Sequence, residues 1–264
     1  MNKNTTAKEK NKFSGSERVC RKNVFSDKQG VIRNNCYAWS IGAASANGPS
    51  YKLQPGDLST RKPFRLSKCG DVIERTKEDL GVIGGYVSPF QSVCKKNHYK
   101  IALILAPGMD YHFLVHHKDV VFKITCSGET RTSIAKKFNV PVKCVEKAAS
   151  YKRGDSVYIK NADCWSHKRG TAYPVSLMDS NGKIIKDPRK ATFDYGMLNY
   201  TIFCATFCVK RRPDMNATVV KSDNAGNLRV HAYDAQPMGI KKVINRLKKR
   251  MGISNTQNKK NVKH

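Results

Sequence analysis

Cys36 is the side chain in this sequence best placed to act as a nucleophile. It follows Asn34-Asn35 and opens the run Cys36-Tyr37-Ala38-Trp39-Ser40-Ile41-Gly42. Either asparagine can cap a short helix that ends near Gly42 or Asn47-Gly48. Cys36 would then sit in the first turn, where the partial positive charge of a helix start stabilises a thiolate. A thiolate attacking a carbonyl needs a group to carry the proton, and imidazole is the usual one. His112, His116 and His117 compete for that role on one predicted strand, and His167 follows further on. The plain alternative is that Cys36 is a small buried apolar side chain. Nine cysteines are present, none spaced C-x-x-C, and Cys204 and Cys208 have no second pair at zinc-finger spacing. A metal site is therefore the weaker reading, and free thiols with one or two later disulfides the simpler one. No cofactor is expected.

The most ordered pattern runs over 121–160. Val121 to Cys126 alternates as a strand, and Ser127-Gly128 breaks it. Thr130 or Thr132 can cap a helix with Ile134, Ala135 and Phe138 inward, ended by Asn139. Pro141 can start a second helix with Val142, Val145, Ala148 and Ala149 inward. Tyr151 to Asp155 is a polar turn, and Ser156 to Ile159 returns as a strand. The expected order is strand, helix, helix, strand. On Ile124, Ser127 to Thr130, Ser133 to Val140, Val145, Gly154-Asp155 and Val157 to Ile159, the stretch resembles a LysM module. Glu129-Thr130-Arg131 stands where that family usually has Asp-Thr-Leu, and Ala149-Ser150 where it usually has Asn. The resemblance implies a site for N-acetylglucosamine polymer, peptidoglycan or chitin. On this chain that site maps to Gly128, Glu129, Thr130, Ala149, Ser150 and Tyr151.

A unit whose first and last strands are neighbours can sit at a hairpin tip. With 121–160 set aside, Tyr111 to Asp119 and Asn161 to Gly170 become one antiparallel hairpin. His112 lies seven residues before Asp119 and His167 six after Asn161, so the two come nearly opposite. A cysteine at a helix start, then a histidine on a strand, then a polar residue on the next strand is similar to the papain-like hydrolases of the NlpC/P60 and CHAP group. The resemblance implies Cys36 as nucleophile, His112 as base and His167 as the group that orients it. It also implies hydrolysis of an amide bond in a wall polymer. Asp110-Tyr111-His112-Phe113 stands where the group usually has His-Val-Gly-Ile.

The elements that must position these groups are legible as periodicities. Cys69 to Leu80 reads as a helix, Tyr99 to Ala106 as a buried strand, Tyr111 to His116 as its partner and Tyr200 to Val209 as a last strand. The expected fold is α+β: a papain-like, NlpC/P60-type domain in two segments, 29–119 and 161–235. A βααβ LysM-like module, 120–160, is inserted between them. A mobile basic arm (1–28), a basic amphipathic helix (240–253) and a disordered tail (254–264) complete the organisation. In that helix Ile240, Val243, Ile244, Leu247 and Met251 form the apolar stripe. Lys241, Lys242, Arg246, Lys248, Lys249 and Arg250 fill the rest. It is either a docked helix or a face for nucleic acid or another polyanion.

Net charge is +29 and pI about 9.9, which attracts polyanions and says nothing of fold. The N-terminal fifteen residues are polar with no apolar run after them, so no ordinary signal peptide is expected. No stretch reaches the ~18 apolar residues of a membrane span. The expected setting is synthesis in the cytoplasm, with packaging in a particle as one route out. Two rivals to the hydrolase follow: a non-enzymatic basic virion component of a large DNA virus, with assembly partners, and a glycan-binding protein without catalysis.

Overall fold

The computed structural model describes residues 13–20, 25, 28–45, 52–59, 68–211, 218–222 and 228–232. These form a mixed α+β structure. The elements, in order, are α1 (Lys28–Arg33), α2 (Cys36–Ile41), β1 (Ala43–Ser45), α3 (Cys69–Ile83), β2 (Gly85–Val87), β3 (His98–Ala106) and β4 (Asp110–His117). Then come β5 (Val120–Lys123), α4 (Arg131–Phe138), a 3-10 turn (Val142–Cys144), β6 (Ser156–Ile159), β7 (Cys164–Lys168), β8 (Val175–Ser176), β9 (Ile202–Lys210), β10 (Thr218–Ser222) and β11 (Leu228–Ala232). The central sheet has strand order β2-β9-β3-β4-β7-β8, every pair antiparallel. β1, β10 and β11 form a second sheet, and β5 and β6 pair alone.

β3 is buried along nearly its whole length, as its unbroken apolar run predicts for a strand covered on both faces. One face meets α2 and α3: Tyr37, Trp39, Val72 and Leu80 pack on Ile101, Leu103, Tyr111, Phe113 and Phe207. The other face carries Ala102, Ile104, Leu114 and Trp165 under Ile185, Phe193 and Tyr200. α3 is held to the loop before it by Asp79. Its carboxylate accepts from Tyr37 Oη (2.7 Å), Gly56 N (2.8 Å), Ser59 Oγ (2.9 Å) and Leu58 N (3.0 Å).

β4 and β7 pair directly, with Leu114 opposite His167. Residues 120–160 lie between them in sequence, and Ile134, Phe138, Val145 and Val157, with Val120, Phe122 and Ile159, form a core that Cys20, Ala162, Cys164 and Leu177 share from outside the segment. Burying Ile134 or Phe138 contributes about 1.5–3 kcal/mol each. The first helix has the expected cap: Thr130 Oγ1 accepts from Ser133 N (3.0 Å) and Ser133 Oγ from Thr130 N (2.9 Å). The expected second helix is reduced to one 3-10 turn. Val145 instead bridges to Ile159 in extended conformation, so the edge of the ribbon takes the backbone that a helix would have used.

Residues 13–20, expected within a free arm, are bound. Ser14 Oγ donates to His98 O (2.6 Å), Arg18 lies 4.1 Å over the Trp39 ring, and Cys20 bridges to Val120.

Four of the cysteines form two disulfides, Cys69–Cys204 and Cys94–Cys208. Cys204 and Cys208 are four apart on β9, and a regular strand would turn both to one face. A bulge intervenes: Ile104 pairs with Phe203 but Leu103 with Ala205, leaving Cys204 as the extra residue. Cys204 therefore turns to the α3 face and reaches Cys69 at the helix start. Cys208, paired with Lys100, stays on the other face and reaches Cys94. The bridges close loops of 135 and 114 residues. Replacing Cys69 and Cys204 together by serine should cost about 2–4 kcal/mol in urea unfolding. Equal midpoints for the variant and the oxidised parent would show that this bridge does not form.

Candidate functional site

Asn35 caps α2, its side-chain oxygen accepting from Ala38 N (3.0 Å), and Cys36 occupies the first turn as expected. What surrounds the thiol differs from the expectation. Its Sγ reaches Tyr111 O at 3.9 Å, beside the Phe113 amide, and its neighbours are the side chains between α2 and the sheet. Burial pushes the Cys36 thiol up to about 12, with Asp110 adding to the rise, so the helix start does not stabilise a thiolate here. No histidine lies within hydrogen-bond reach of this sulfur among the described residues.

The reason is strand parity. Tyr111, Phe113 and Val115 of β4 face α2, so His112 and Leu114 face the opposite side. The assignment of Cys36 and His112 as nucleophile and base is thus corrected: the backbone of β4 stands between them. His112 and His167 do come together, as the hairpin reading expected. His112 Nε2 lies 2.8 Å from His167 Nδ1, and His167 Nε2 lies 2.8 Å from Met178 O. A carbonyl only accepts, so His167 carries its proton on Nε2 and takes the His112 Nε2 proton at Nδ1. Burial first, and then the mutual repulsion of the pair, hold His112 well below the usual imidazole range, and burial lowers His167 to about 4. Both rings stay neutral, and each orients the other rather than a thiol.

The competing histidines are also engaged. His116 Nε2 lies 2.8 Å from Asp163 Oδ1, and its ring stacks on Trp165. His117 is on the α2 side, but six residues along β4 from Tyr111, roughly 20 Å away. Its Nδ1 donates to Arg18 O (2.6 Å). Its Nε2 then accepts from Ser166 Oγ (2.7 Å), whose oxygen takes the Trp39 Nε1 proton (3.2 Å). This closed network holds α2 to β7 and leaves no free base.

The six residues mapped as sugar contacts lie on two loops of the 120–160 segment. Ile124 N donates to Asp155 O and Gly154 N to Ile124 O, both at 2.9 Å. The loop holding Gly128, Glu129 and Thr130 and the loop holding Ala149, Ser150 and Tyr151 therefore leave one end of the β5–β6 ribbon together. Gly128 has φ +78°, a conformation other residues adopt only with strain. Glu129 is tied to Ser133 Oγ (2.5 Å) and to Lys137, whose hydrogen bond holds its carboxyl below the usual range. Ser150 Oγ donates to Asp155 Oδ2 (2.7 Å) and Tyr151 Oη to Glu146 O (2.9 Å). Gly128, Thr130 and Ala149 are exposed between these fixed side chains. Lys241, Lys242, Arg246, Lys248, Lys249 and Arg250 lie outside the described residues.

Sequence reasoning passed over the polar groups around the histidine pair: Asp110 bound to Tyr200 (2.6 Å), Arg169, Tyr173 and Tyr195. The only signal was Lys168-Arg169 a few residues before Tyr173. Tyr195 and Tyr200 arrive from a distant loop. No helix of the described residues is long and apolar enough to cross a membrane. Compared with known proteins, the chain matches no family model, no curated protein and no solved structure.

Proposed function

We propose that this chain is a glycan-binding protein that does not use Cys36 as a catalytic thiol. Residues 120–160 are read as a LysM-like module for N-acetylglucosamine polymer, carried on a papain-like scaffold. The observation that supports the reading is that the loop holding 128–130 and the loop holding 149–151 leave the same end of the β5–β6 ribbon. Their fixed hydrogen bonds favour binding without large ordering costs. Amide hydrolysis through Cys36 is left out, because the thiol is sealed and has no imidazole partner among the described residues.

The test is retention of the full chain on insoluble chitin and on peptidoglycan. Deleting the segment would expose Cys20, Cys164 and Leu177, which share its core, so a point change is better. Ala149→Arg places a long, charged side chain at an exposed position of the mapped site, outside that core. The intact chain should be retained on at least one polymer, and Ala149→Arg should cut retention about tenfold, the loss of roughly 1.4 kcal/mol. Passage of the intact chain through both polymers would leave the segment a scaffold without a sugar site.

A further inference from the structure

The histidine pair is flanked by a guanidinium that no anion pairs with among the described residues. Arg169 follows β7 directly, and its Cζ lies 3.9 Å from the Tyr173 ring centre and 4.6 Å from that of Tyr195. It makes no hydrogen bond or ion pair with the described residues, in contrast to Arg189, which pairs with Asp187 at 2.6 Å. Ring contacts satisfy the faces of a guanidinium and none of its in-plane N–H groups. Asp179, an acid close enough to act electrostatically on Tyr195, is already used. It accepts from Lys183 N (2.9 Å), Asn181 N (3.0 Å) and Thr192 N (3.3 Å). Tyr195 Oη is buried with no partner, while its ring stacks on His167. Tyr195 itself is placed by the turn at Gly196, φ +80°, closed by the Asp194–Asn199 bridge.

We propose that Arg169, held over Tyr173 and Tyr195, is a binding site for a carboxylate group. A guanidinium edge presents two parallel N–H groups that match the two oxygens of a carboxylate. Burial keeps the Tyr195 phenol protonated, so the ring under the guanidinium brings no negative charge of its own. One cation flanked by neutral rings, with Asp179 nearby, fits a single negative charge better than a phosphate dianion. The half-buried setting strengthens the interaction relative to bulk water. The site lies on the main sheet and is independent of the glycan reading.

The experiment follows the Arg169 Nε–Hε resonance in the full chain labelled with 15N-arginine, assigned by its disappearance in Arg169→Lys. Sodium acetate should move it saturably, sodium chloride at equal ionic strength should not, and inorganic phosphate should bind several-fold more weakly. Tyr173→Leu, at a half-exposed ring, should weaken acetate by about two- to fivefold, the worth of one exposed cation–ring contact. A resonance that acetate does not move, that chloride moves equally, or that phosphate saturates first would overturn the proposal. Once the resonance is assigned, the wild-type titration decides this even if Tyr173→Leu fails to fold.

Discussion

Acidification from pH 6.5 to pH 4 should remove most of the folding stability of this protein. His112, His117 and His167 are buried and neutral, and burial is the first cause of depression in each. His117 is held at about 3 and His167 at about 4, against 6.5 for an exposed imidazole. Below pH 6.5 the unfolded chain binds protons that the folded chain refuses, so stability rises with pH in this window and is complete above it. By pH 4 each independent imidazole costs on the order of 3 kcal/mol. His117 and His167 alone give about 6–7 kcal/mol, to which His112 adds, and that is comparable with the whole stability of an ordinary domain. Glu129 and Asp187, whose carboxyls are held low by Lys137 and Arg189, add losses at lower pH. Asp79, raised by burial, acts the other way, but it is a single group. Urea unfolding across this range should show the fall, and His117→Gln should reduce the slope by one proton. Titration of the His112, His117 and His167 resonances near 6.5 while the fold persists would show that these rings are not sealed.

Asp79→Ala should cost about 3–5 kcal/mol, as expected when a buried carboxylate is withdrawn from donors that are then left unpaired. Four donors lose their acceptor at once: Tyr37 Oη, Gly56 N, Leu58 N and Ser59 Oγ. The melting temperature should fall by about 10 °C. The effect reaches the thiol as well. The same loop offers Leu53 O to Asn35 Nδ2 (2.7 Å) and Gln54 Oε1 to Tyr111 Oη (2.7 Å), tying the loop to both residues that flank Cys36. Freed from Asp79, the loop should lift, and Cys36 should react faster with a thiol reagent than in the parent. Asp79→Asn keeps one acceptor oxygen and should fall between the two. A variant within 1 kcal/mol of the parent, with Cys36 equally protected, would mean that the clamp contributes little.

Much of the secondary structure was legible because burial imprints periodicity. The continuous apolar run of β3 and the apolar face of α3 each announce their element. Residues 121–160 also announced their core, since Ile134, Phe138, Val145 and Val157 are spaced by local geometry alone. The second helix of that segment was misread. Val142, Val145 and Ala149 fit a helical period, but pairing of Val145 with Ile159 outcompeted a short helix with few inward contacts.

Side-chain parity and hairpin pairing are local, so the order of residues already determined that Tyr111 and His112 face opposite ways and that β4 can pair with β7. It also determined that His112 and His167 share a face. Which face α2 covers was set by the packing of the layers, and that choice put Cys36 with Tyr111 and left His112 on the far side. The same holds for the bulge at Cys204, which redirects one cysteine against its parity, and for Arg169 against Tyr195, which meet because a remote loop folds back over β7. Such contacts join residues far apart in the chain, and nothing in local spacing encodes them: they follow from how the layers close over one core.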